Sequence, residues 1–203
     1  MRYEGITSDD LVNVHALNTA WLGLAEDAGI RAMSQARRNR LAAVPFLLFT
    51  FRESDDGFWQ QLVENRPQLD LLKEAPDGTA EVRRLQNSGL AFMWDLARRN
   101  PYVARVISGA PLQWCDRISA VTIAELLERA AHHSLIGSRF ANNSTMYGQL
   151  VSRGTSATTS ARRFSQIAAL QSLLMSGASR DDARLPAAAC RMRPPARRIG
   201  DKV

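Results

Sequence analysis

Glu125, Glu128 and His132 have the types and the spacing for metal-ion or acid–base chemistry. At steps of three and four residues, a helix would stack two carboxylates and an imidazole on one face. That face lies opposite the apolar stripe of the same helix, Ile123, Leu126, Leu127 and Ala130, so the expectation is a solvated charged surface with no metal and no catalytic role. His132 and His133 cannot share an ion from a helix, because neighbours diverge by about 100°. His15 has no second histidine at ligand spacing and reads as a structural residue.

A second candidate is Trp114-Cys115-Asp116-Arg117, a thiol beside charged groups near a helix start, where a thiolate would be favoured. A nucleophile also needs a base and an oxyanion donor. The residue types favour a buried structural thiol instead, since unpaired cysteine is among the most buried residues. With Trp94 and His133, the pair Trp114 and Cys115 is the candidate lining of a pocket between helices.

The third candidate is basic. Arg162 and Arg163, with Arg153 before them, flank a turn between helices laid out a little like the second half of a helix-turn-helix, at a spacing too long for that motif. Arg191, Arg193, Arg197 and Arg198 add a basic run near the C-terminal end, and no aromatic residues interleave with these charges. Phosphate-loop, dinucleotide, nucleophile-elbow and zinc-type patterns are absent from the sequence. No cofactor is expected.

Such groups must be held by helices. The 203 residues, 45% hydrophobic and 23% charged, suit one globular domain with a sizeable core. Net charge is +6, and residues 180–203 hold seven basic and three acidic side chains, so most of the excess sits at the end of the chain. Two distant cysteines offer no disulfide framework, and the longest apolar run, Leu41 to Phe51, is too short to cross a bilayer. The expectation is a cytoplasmic protein without a membrane segment.

The organising element is Thr79 to Arg99. Val82, Leu85, Gly89, Met93 and Leu96 form a helical stripe, widened by Leu90, Phe92 and Trp94 to an arc of roughly 200°. Such an arc needs neighbours on two or three sides. Before it, a helix is predicted from Thr7 or Ser8 to Gly29, with Leu11, Val14, Leu17, Trp21, Leu24 and Ala25 inward; a second follows Ser34. The apolar run PFLLFTF, residues 45–51, is read as helix, because no second strand-like run is available to pair with it. A short helix on Phe58, Trp59, Leu62 and Val63 ends before Pro67, and QLDLLKE adds a turn or two of helix.

After the organising helix, Asn100-Pro101 starts another and Gly109 ends it; Pro111 opens a short helix. Thr122 and Glu125 form a capping box, and because Leu135 and Ile136 fall opposite the stripe, the helix either breaks near Ser134 or is covered on both faces. The last helix spans Thr158 to Met175 with Phe164, Ile167, Ala168 and Leu174 as its apolar face. The sequence therefore predicts an all-α, irregular, non-repeat bundle of about seven to nine short helices over residues 1–176, and a disordered Arg/Pro-rich tail over 177–203.

The function expected from this pattern is a protein-interaction or regulatory module without catalysis, acting on a protein partner or as a homo-oligomer. A nucleic-acid-associated regulator using the last helix and the basic tail is the alternative, and an enzymatic or small-molecule pocket between helices is the third reading.

Overall fold

Short-range capping chemistry places most of the helix boundaries in the computed structural model, which is described for residues 5–25, 27–64, 79–140 and 143–181. In chain order the elements are α1 (Ser8–Leu24), α2 (Ala28–Arg31), α3 (Gln35–Ala42), β1 (Phe49–Thr50), α4 (Asp56–Glu64), α5 (Ala80–Arg99), α6 (Pro101–Ser108), α7 (Leu112–Ser119), α8 (Ile123–Ala130), β2 (Gly137–Ser138), α9 (Ser144–Arg153) and α10 (Thr159–Asp181). The fold is an all-α, irregular helical bundle. Thr7 with Asp10 and Thr122 with Glu125 each close a capping box, satisfying amides that the first turn leaves unpaired. Asn100 accepts from the amides of Tyr102 and Val103, with Pro101 at the first helical position, and Gly109 ends α6 in the left-handed region at φ 68°.

Helix α5 is the hub, in contact with α1, α6, α7 and α8. Leu85, Gly89, Leu90, Met93, Leu96 and Ala97 are buried along it, as the wide arc requires. Gly89 has a specific role: a Cβ there would lie 2.6 Å from Cζ of Phe51, so the missing side chain lets a fully buried ring sit on the helix backbone. Two buried clusters result. The larger gathers around α5 and includes Phe49, Phe51, Trp59, Trp114 and Cys115, and the smaller joins α3 to Phe46, Phe140, Leu150 and Ala169.

Four expectations are corrected. The run read as helix over 45–51 is extended: β1 pairs antiparallel with β2, Phe49 opposite Ser138 and Thr50 opposite Gly137. The partner Gly-Ser carries no strand signature, and the backbone of the run is satisfied largely by side chains. Asn18 donates to the carbonyls of Ala42 and Phe46 and accepts from the Leu48 amide. Arg139 donates to the carbonyls of Leu47 and Phe49, and the Leu47 amide reaches the Ile107 carbonyl.

Second, the first helix stops at Leu24, and Asp27 caps the short α2 through the Ile30 amide. Its buried face is Asp10, Val14, Leu17, Asn18 and Leu22, with Leu11 42% exposed, because two polar residues have partners inside. Burial alone would raise the Asp10 carboxyl; the hydrogen bond from Arg99, 2.6 Å away, and those of Thr7 outweigh it and hold the group below the ordinary carboxylate range.

Third, α8 ends at Ala130, so His132 lies beyond the helix that was to align it with Glu125 and Glu128. Glu125 is spent on the cap. Fourth, α10 turns the other way: Ser165 and Ala169 are buried while Phe164 and Ile167 are 67% and 56% exposed. It also runs on to Asp181, past the helix end expected at Met175. The QLDLLKE segment and the tail beyond Asp181, with Arg191, Arg193, Arg197 and Arg198, lie outside the described residues.

Candidate functional site

Of the four residues expected to line a pocket, Trp114 and Cys115 lie in the core, and Trp94 and His133 are half-buried at its edge. Cys115 and Trp114 are 0% and 1% exposed. Trp114 stacks on Phe51 with ring centroids 6.4 Å apart and meets Trp59 edge-on at 5.4 Å. His133 reaches the same cluster from its rim, edge-on to Phe58 at 5.3 Å, while Trp94 donates its indole N–H to the Val121 carbonyl. Burial first, then the nearby charges of Asp116 and Glu53, pushes the Cys115 thiol up to about 12. Such a thiol stays protonated near neutral pH and is a poor nucleophile.

Two further groups of buried polar side chains tie segments of the fold together. Arg139 and Glu53 form an ion pair at 3.1 Å with side chains 6% and 5% exposed, and Glu53 also accepts from the Thr50 hydroxyl. Gln86 donates to the carbonyls of Ala130 and His133 and accepts from the Leu135 amide, which fastens the turn after α8. Among the described residues, no group of three or more His, Cys, Asp or Glu is placed to hold a metal ion.

A cavity of about 450 Å³ lies elsewhere, between the end of α1, α2, α3, β2 and the start of α9. Its floor is apolar and buried: Leu22, Ile30, Leu41, Leu48 and Phe140. Trp21 and Tyr147 form half-buried walls, and Asp27, Ser138 and Ser144 make an exposed polar rim. Desolvation and the neighbouring Asp27 charge push the Tyr147 phenol up to about 12, so it remains a hydrogen-bond donor. The sequence held the ingredients, Trp21 on the α1 stripe and Asp27 before a short helix, but nothing local brings Tyr147, more than a hundred residues away, against them.

The other notable surface is on α10. Phe164, Ile167 and Met175 are 67%, 56% and 73% exposed, and helical spacing puts them with half-buried Leu174 on one stripe nearly opposite Ser165 and Ala169. Arg162, by contrast, folds back onto its own helix start, donating to the carbonyls of Ser156 and Ala157 and to the Thr159 hydroxyl. Arg163 points to solvent. Among the described residues no helix is long and apolar enough to cross a membrane. Compared with protein families, characterised proteins and solved structures, the chain finds no match.

Proposed function

We propose that this protein is a non-catalytic interaction module that docks an apolar helix of a protein partner, or of a second copy of itself, on the outer face of α10. The observation that carries this reading is the stripe of Phe164, Ile167, Leu174 and Met175. From first to last residue it covers about 16 Å of helix, roughly three turns. Single exposed apolar residues are ordinary on a protein surface. Four at i, i+3, i+10 and i+11 fall on one face and make an apolar stripe of the kind on which a partner helix can pack. The inner face of α10 is already occupied by α9 and α6. Binding of nucleic acid finds less support, because Arg162 is committed to three acceptors of its own loop.

The test is sedimentation of the full chain over a range of concentrations, together with photo-crosslinking from a benzophenone residue at position 171, within the stripe. The expected result is a defined complex, with itself or with one partner, that is lost in the double variant Phe164→Glu/Ile167→Glu while its circular dichroism stays native. A chain that remains monomeric and yields no adduct sensitive to those two substitutions overturns the reading.

A further inference from the structure

We propose that the cavity between α1, α3 and α9 is a binding site for a small amphipathic cation: an aromatic or alkyl body carrying one ammonium group. The size is suitable, since ligand cavities commonly run from about 300 to 1,000 Å³ with apolar walls and a few oriented polar groups. The arrangement also gives a direction. Leu22, Ile30, Leu41, Leu48 and Phe140 close the floor, so the apolar body goes in first; the polar atoms stand at the mouth, so the head group stays there.

The sign of the charge follows from the lining. Among the described residues that line the cavity, Asp27 is the one that carries a charge. Its Oδ1 is held by the Ile30 amide at 2.9 Å, which fixes the carboxylate in place; Oδ2 has no partner among the described residues. Trp21, Phe140 and Tyr147 add aromatic rings to the same space, with Phe140 and Tyr147 centroids 6.4 Å apart. Ring faces attract cations and repel anions. A carboxylate at the mouth with aromatic walls below it therefore selects against acids, and the hydroxyls of Ser138, Ser144 and Tyr147 can accept from an ammonium without a competing charge.

This selectivity opposes what the whole molecule would do. With net charge +6, unspecific attraction favours anions, so a preference for cations can only come from a local site. The experiment is calorimetric titration of the full chain with two probes of matched size, 2-(2-naphthyl)ethylammonium and 3-(2-naphthyl)propanoate. The cation should bind about tenfold more tightly than the anion, a difference of about 1.4 kcal/mol. Asp27→Asn keeps the helix cap, because asparagine caps as well as aspartate, and should bring the two probes within about twofold of each other. Ala25→Trp, which fills the cavity, should abolish binding of both; Ser144→Trp at the exposed rim makes the same check should the first variant not fold. Equal or tighter binding of the anion, a preference that survives Asp27→Asn, binding that survives the blocked mouth, or no binding of the cation at millimolar concentration overturns the proposal.

Discussion

The amide of Leu48 donates to Oδ1 of Asn18 at 2.9 Å, across 30 residues of sequence and with both residues out of solvent. Through Nδ2 the same side chain also holds the carbonyls of Ala42 and Phe46. One asparagine on α1 thus stands in for the strand that the extended run lacks along this edge.

Asn18→Leu keeps the volume and removes all three bonds, leaving two carbonyls and one amide buried and unpaired. At about 1 kcal/mol or more for each orphaned group, the loss should be about 3 kcal/mol. Urea unfolding checks it. A cost below about 1 kcal/mol would mean that the run pairs with something else.

Gly89→Ala gives a test of sign. In an exposed helix interior that change stabilises by about 1 kcal/mol through helix propensity. Here the new methyl would stand 2.6 Å from the Phe51 ring, which Phe49 and Trp114 hold from other sides. The expected outcome is destabilisation by about 1–3 kcal/mol, read as a lower thermal midpoint.

Cys115 sets an alkaline limit. Its thiol titrates near 9.0 when unfolded and about 12 when folded, so the folded state holds its proton more tightly. Stability from this group is complete below pH 9 and falls as pH rises from 9 toward 12, by about 1.4 kcal/mol per unit. Cys115→Ala should flatten that decline, leaving the smaller one that Tyr147, raised from 10.0 to about 12, adds from pH 10. In the native protein at neutral pH, a polar disulfide reagent should label Cys115 no faster than the chain opens. Labelling in seconds would place the thiol outside the core.

Where a signal is local, the sequence discloses the structure well. The Thr122–Glu125 box, the Asn100-Pro101 start, Gly109 and the α5 stripe each depend on residues within a few positions of one another, and each forms as the pattern requires. The extended run fails this condition, since its partners are Asn18, Ile107 and Arg139. Amphipathic spacing on α10 is also local, yet it cannot say whether an apolar face turns inward; here Ser165, donating to the Gln149 carbonyl of α9, and Ala169 are buried while Phe164 and Ile167 face out. For the same reason the burial of Trp114 and Cys115, side by side on α7, was legible, while the cavity under Tyr147 was not.

The extended run over 46–51 also bears on how the chain acquires its fold. Arg139 bonds to it from about 90 residues away and Asn18 from about 30, so most of its backbone bonds can close only after distant segments on both sides of it have arrived. The helices α5 to α8 follow one another directly and α5 contacts each of the other three, so they can assemble early by short loop closures, with the apolar run left uncovered until last. The hydrogen-exchange signature of this order is a Leu48 amide that exchanges only when the whole molecule unfolds. Its practical cost is a refolding step in which Phe46, Leu47, Phe49 and Phe51 stay available to other chains, so that the yield of native protein falls as concentration rises.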